Sequence, residues 1–301
     1  MDSVVNIGIQ IFSQSLQVDL EFPQLLIIFI SNISSVMKKR IKVSHEVPFS
    51  LLDYSREFND YDYCLPHLLD ENKEYQAYFR KAKAENRYII MDNSLHELGT
   101  SYNTERLWHW INELEPDEFI VPDVWEDKTA SIVNARQWIK AQFPKNTIPV
   151  AVVQAQSLHE AFECTQIYKD LGYKKIAYSY GASYYNDICV HPNKDLGKAL
   201  GRVYVISTLY KQKALTKHDR VHLLGCQVPQ EFGWYQGIEC IESIDTSNPI
   251  MAALDGNAIE FHGLTEKPKA NMNNFQNTPS EEIDLDLIDN NIEMFRLINN
   301  L

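Results

Sequence analysis

Tyr88-Ile89-Ile90-Met91 followed by Asp92-Asn93-Ser94, and Glu118-Phe119-Ile120-Val121 followed by Pro122-Asp123, repeat one pattern: a short apolar run that ends abruptly in a carboxylate. Runs this short and this continuously apolar read as parallel strands buried on both faces, where no alternating polar face is needed. Working outward, six further runs share the character: Ile41 to Ser44, Tyr63 to Leu65, Ile148 to Val153, Lys175 to Tyr178, Arg220 to Leu224 and Cys240 to Ile244. Longer amphipathic stretches separate them, among them Lys73 to Glu85, Thr104 to Leu114, Lys128 to Phe143, Leu158 to Leu171 and Lys194 to Leu215. Asn103, Asp127 and Ser157 stand where three of these helices need an N-cap. Eight βα units predict an α/β fold, the (β/α)8 TIM barrel. A doubly wound open sheet is the alternative, but no glycine-rich phosphate loop follows the first run.

In such a barrel the chemistry sits at the C-terminal ends of the strands, so the residue that ends each run is the one to read. The ends are Ser44-His45-Glu46, Pro66-His67, Asp92-Asn93-Ser94, Pro122-Asp123, Gln154, Ser179-Tyr180-Gly181, Gly225 and Asp245-Thr246-Ser247. Carboxylates at the ends of buried strands are costly to desolvate, and three at one rim exceed what structure requires. The plainer reading is that each aspartate caps the element that follows, since Asp-Asn-Ser and Asp-Thr-Ser are turn-forming. Paired aspartates have a chemical use: one attacks an electrophilic carbon while the other moves the proton of the leaving or incoming group. At a glycosidic carbon this is the two-carboxylate arrangement, with an oxocarbenium-like transition state. Gln154 and the Ser179 to Gly181 backbone offer donors and acceptors to a base edge. Tyr178, Tyr180, Tyr184 and Tyr185 offer a stacking face, although tyrosines in such loops more often pack.

Composition bounds the partners. The chain has 301 residues, 45% hydrophobic, enough for one large core, and a formal net charge of −13 that argues against a nucleic-acid coat. One stretch, Lys194 to Arg220, sets seven basic residues against Asp195 and Asp219; it reads as a solvated helix face or as a phosphate-facing patch. Five cysteines without CxxC spacing point to reduced thiols in a cytoplasmic compartment, with neither a disulfide framework nor a zinc site. Leu25 to Ile30 is too short to span a membrane, and the residues before it are wrong for a signal peptide. Met37 before Lys38-Lys39-Arg40 looks like a natural start, which makes residues 1–36 an extension and residues 37–262 the barrel domain. After Phe261 a Pro- and Asn-rich linker leads to an acidic amphipathic helix over Asp284 to Leu301, so residues 263–301 form a helical extension. That helix would pack on the barrel or serve a homodimer contact.

The ordered set Asp92, Asp123, Gln154, Gly181 and Asp245, with His222-Leu223-Leu224-Gly225 before the last strand, resembles the tRNA-guanine transglycosylase superfamily, including its branch that inserts 7-deazaguanine bases into DNA. The resemblance spans roughly Ile41 to Leu254. It implies Asp245 as nucleophile at the anomeric carbon, Asp92 as general acid/base, Asp123 and Gln154 as readers of the base edge, and Gly181 as the point where the base nears the backbone. Asn93, Ser179, Tyr180, His222 and Gly225 complete the implied substrate site, with no cofactor. Asn93-Ser94 replaces the family's glycine pair, its glycine-rich loop is reduced to Tyr180-Gly181-Ala182, and its cysteine-rich zinc module is missing. DNA or a free nucleotide is therefore favoured over tRNA. Two rival readings stay open. One is a metal-dependent hydrolase using His45, His67, His96 and His222 with Asp123 or Asp245; the other is a barrel that binds a nucleotide or a protein without turnover. Cys226 lies beside the site and carries no assigned role.

Overall fold

The computed structural model describes residues 40–263 and 267–301; the expected extension over residues 1–36 lies outside them. The described residues form eight strands: β1 (Lys42–Ser44), β2 (Asp62–Cys64), β3 (Ile89–Met91), β4 (Glu118–Ile120), β5 (Ile148–Val153), β6 (Lys175–Ser179), β7 (Val221–Leu224) and β8 (Ile241–Asp245). Every run read from the sequence is a strand, shifted by no more than one residue at most ends. All neighbours pair in parallel in the order β1-β8-β7-β6-β5-β4-β3-β2, and helices alternate with the strands, giving a nearly closed TIM-like barrel.

The one place without a ladder is the seam between β1 and β2, where two strand edges would leave backbone groups unpaired. Side chains fill that role. Asn59 Nδ2 donates to the His45 carbonyl at 2.9 Å and Asn59 Oδ1 accepts from the His45 N–H at 2.7 Å, imitating a peptide of the missing strand. Asp60 does the same for Val43, accepting from its N–H and donating its own N–H to its carbonyl, both at 2.9 Å.

Side-chain alternation sorts the strands into two faces. Phe119, Ala151, Val153, Ile176, Tyr178, Val221, Leu223 and Ile244 join the large core between sheet and helices. The intervening residues face the lumen. Ile120, Val150, Val152 and Ala177 form a dry layer there, with Glu118, Lys175 and Ser243 below it and Asp92, Ser179 and Asp245 above.

The helices begin where local chemistry says they should. Asn103, Asp127 and Ser157 each accept from the backbone N–H three residues on, at 3.0, 2.9 and 3.2 Å. The helix from Lys194 ends at Lys211, four residues before the expected Leu215. The acidic terminal helix, Leu285–Asn299, buries Ile288, Ile292 and Phe295. Phe295 packs edge-on against His45 and Phe232, so this part of the helix lies on the chain's own barrel. Arg296 reaches from it to the Phe58 carbonyl beside the seam.

Two of the seven cations in the basic stretch are held by carboxylates, which removes them from any phosphate-facing patch. Arg202 is fully buried and pairs with Glu231 at 2.6 Å, and Arg220 bonds Glu118 and Glu242. All five cysteines are free thiols. Among the described residues no helix is long and apolar enough to cross a membrane.

Candidate active site

A cavity of about 560 Å³ opens at the C-terminal ends of the strands, and Asp92, Ser179, Tyr180, Gly225 and Asp245 from the expected set line it. Asp92 follows β3 in phase with lumen-facing Ile90, and Asp245 closes β8 in phase with Ser243, so the two-residue period of the strand aims both carboxylates inward. Glu46 enters the same space two residues beyond Ser44.

Each aspartate is held by donors. Tyr63 Oη donates to Asp92 Oδ1 at 3.0 Å, and the Ser94 N–H donates to Asp92 Oδ2 at 3.1 Å. The second bond is an Asx turn, so the capping role weighed for Asp92 exists beside its exposure to the cavity. Asp245 caps nothing: the hydroxyl of Thr246 accepts from the Asn248 N–H instead. Asp245 Oδ1 lies 2.9 Å from His222 Nε2, and the Gly225 N–H also bonds the carboxylate. Gly225 sits at φ +60°, and a Cβ there would fall 2.4 Å from the Tyr180 ring, so glycine is required twice over.

No cation compensates these charges at bonding distance among the described residues. Burial, followed by the charge of Asp245, pushes Asp92 up to about 6. Burial pushes Asp245 up to about 7, against the opposing effect of the Gly225 N–H. Glu46 is raised to about 7 by burial and then by the charges of Asp245 and Asp92. The charge of Asp245 disfavours ionisation of Asp92, so an ionised Asp245 favours a protonated Asp92. Such a pair can present one ionised and one protonated carboxyl to the same substrate.

The remaining expected residues sit outside the cavity wall. Asn93 Nδ2 and Gln154 Nε2 each donate to Asp123 at 2.6 Å, one to each oxygen, and Asp123 is 5% exposed. Burial pushes Asp123 up to about 6 even so. This triad occupies its own hydrogen-bonding groups and buttresses the wall. The carbonyl of Gly181 takes a bond from Lys198, and a Cβ on Gly181 would meet the Trp125 ring at 2.3 Å. The glycine face that the resemblance assigns to a base is therefore covered by an indole. Tyr178, Tyr184 and Tyr185 are buried in the core, leaving Tyr180 alone of the expected stacking face.

Sequence reading missed three contributors. Glu46 was quotable from its strand end, and the alternation from Ser44 would have aimed it inward. Tyr63, which stacks on His222 with ring centroids 5.9 Å apart, lies inside its strand and not at the strand end that was read. The third is a strap, Lys267 to Asn273, which lines the cavity from the linker; Lys267 Nζ donates to Tyr180 Oη at 3.0 Å, and Tyr180 Oη lies 3.0 Å from His96 Nε2. No local signal marks it.

The four histidines of the hydrolase reading stand apart: His45 bonds the Thr246 carbonyl, His67 the Ser94 hydroxyl, His96 Tyr180, and His222 Asp245. Among the described residues no three His, Cys, Asp or Glu side chains are grouped to hold a metal ion. No family model matches the chain, and no curated protein matches it either.

Proposed function

We propose that the chain is a cytoplasmic nucleobase-exchanging or base-releasing enzyme, of the transglycosylase type, acting on the N-glycosidic bond of DNA or of a nucleotide. The observation that carries this reading is the Asp92–Asp245 pair at the mouth of the barrel: two carboxyls raised toward neutrality and lining one cavity. Asp245 attacks the anomeric carbon as the C1′–N bond breaks, the electron pair of that bond passes to the departing base, and Asp92 protonates it. An incoming base or water then attacks the same carbon, surrenders its proton to Asp92 and expels the Asp245 carboxylate. Tyr63 and the Ser94 N–H hold Asp92 for the proton transfers, while His222 holds Asp245 by Oδ1. The resemblance read from the sequence assigns the same two aspartates the same roles.

Mass spectrometry of nucleosides after incubation with duplex DNA, single-stranded DNA, tRNA and free nucleotides, with labelled guanine or 7-deazaguanine bases, tests this. Label incorporation or base release that vanishes in Asp245→Asn is the expected result. A barrel that binds without turnover is the second reading, favoured by Trp125 and Tyr180, which fill the faces of Gly181 and Gly225. Saturable nucleotide binding with no base released from any substrate would select it.

A further inference from the structure

Beneath Asp245 the lumen holds a run of polar contacts that ends in a buried lysine. Lys175 Nζ, on a side chain 1% exposed, lies 2.6 Å from Glu118 Oε2 and 2.7 Å from Ser243 Oγ. Ser243 Oγ lies 2.8 Å from His222 Nδ1, and His222 Nε2 lies 2.9 Å from Asp245 Oδ1. An ammonium has hydrogens and no lone pair, so Ser243 accepts from Lys175. An ionised Asp245 can only accept, so the ring hydrogen of a neutral His222 falls on Nε2, and the bare Nδ1 takes the Ser243 hydrogen. Burial holds His222 well below its ordinary value, at about 3, so the ring is neutral and the tautomer is its only freedom.

We propose that Lys175 and Ser243 are positioning residues that fix His222 as the Nε2–H tautomer, and through it hold Asp245 by Oδ1. The inference rests on the reading of Asp245 as nucleophile. The chain begins and ends in charge, and every hydrogen in it points toward Asp245. Without Ser243 the imidazole can turn over to Nδ1–H, and a bare Nε2 accepts a hydrogen bond only from a protonated Asp245. Losing the hydroxyl therefore favours the acid over the nucleophile.

Other groups face the two residues and stay in place when Ser243 changes. Around Asp245 are Asp92 and Glu97 after β3, Glu46 after β1, Tyr61 and Tyr63 at β2, Cys226 after β7, and Arg202 from the Lys194–Lys211 helix. Around His222 are Lys175, Glu118, Arg202 and Glu242.

The experiment uses the full chain and Ser243→Ala, which spares the Lys175–Glu118 ion pair. Nitrogen-15 NMR of histidine-labelled protein should show His222 as a single Nε2–H tautomer in the wild type and as a mixture or the reverse in Ser243→Ala. The carboxyl titration of Asp245, followed by carbon-13, and the acid limb of turnover should both move to higher pH by about one unit. Ser243→Thr, which keeps the hydroxyl, should restore both. The double variant Lys175→Met/Glu118→Gln, which removes the ammonium without orphaning its partner, should move them in the same direction as Ser243→Ala. A variant that loses turnover equally at every pH, with the His222 tautomer unchanged, overturns the proposal. The tautomer and the titration are read without turnover, so a protein that shows both shifts and no base chemistry overturns the functional reading and leaves the hydrogen-bond chain standing.

Discussion

At the bottom of the barrel Glu118 meets Lys175 at 2.6 Å and Arg220 at 2.5 Å, with Tyr88 donating to it at 2.8 Å. At the top, Asp92 and Asp245 meet a tyrosine, a histidine and backbone N–H groups, and among the described residues no lysine or arginine bonds either. Both sets of carboxylates are desolvated by the same fold. The lower set is neutralised by Lys175 and Arg220 and closes the lumen as a floor. The upper set has no such cation, and its burial shows as raised pKa values. A buried charge with its partner is architecture, whereas a buried charge denied its partner holds a reactive proton near neutral pH.

The strongest way to break that contrast is to remove charge from the floor. Glu118→Ala leaves Lys175 and Arg220 without their shared partner, and unfolding in urea should show a loss of roughly 3–5 kcal/mol. Lys175→Met/Glu118→Gln removes both signs together and should cost much less than Glu118→Ala alone. A floor variant that loses no stability would show that the two ends do not differ in the way described.

Asp245→Asn should do the opposite. Turnover should fall about a thousandfold or more, measured by base release or exchange. The fold should gain about 1–3 kcal/mol at neutral pH, measured by thermal or urea unfolding. The sign follows from the raised pKa. Asp245 rises from its ordinary 3.8 to about 7 in the fold, so the folded chain binds the proton more tightly than the unfolded chain. The cost is absent below pH 4, grows as pH rises and is complete above about 7. The advantage of the amide variant should therefore shrink and disappear as pH falls toward 4.

Gly181→Ala probes the wall between these regions. Its Cβ would enter the Trp125 ring at 2.3 Å, so the indole must swing away, at a cost of about 1–3 kcal/mol by urea unfolding, with altered tryptophan fluorescence. The smallest change is Tyr63→Phe, which removes one donor from Asp92. We expect a stability change near 1 kcal/mol or less and a turnover profile whose alkaline limb moves to higher pH, since Asp92 acts on the leaving base in its protonated form and loses a bond that favours its charged form.

Much of this was legible without coordinates. Short apolar runs between amphipathic stretches located all eight strands because a strand buried on both faces has nowhere to put a polar side chain. The caps at Asn103, Asp127 and Ser157 were legible because a cap and its target lie three residues apart. Asp92 and Asp245 were legible as strand ends, and the period of two aimed them inward. The limits are equally physical. Arg202 and Arg220 read as part of a solvated basic stretch, yet their partners, Glu231 and Glu118, stand 29 and 102 residues away. Trp125 against Gly181 and the strap beside Tyr180 are likewise contacts between distant segments.

By itself the sequence determined where strands and helices begin, which residues stand at the rim and which of them alternate toward the lumen, because those properties are set by neighbours a few positions away. Only the tertiary structure decided which charges are neutralised. It placed Lys175 and Arg220 against Glu118, set Asn93 and Gln154 onto Asp123, and left Asp92 and Asp245 facing each other over the cavity. Ion pairing depends on distance in space within a few ångströms, and closing a barrel brings together side chains that no local pattern associates.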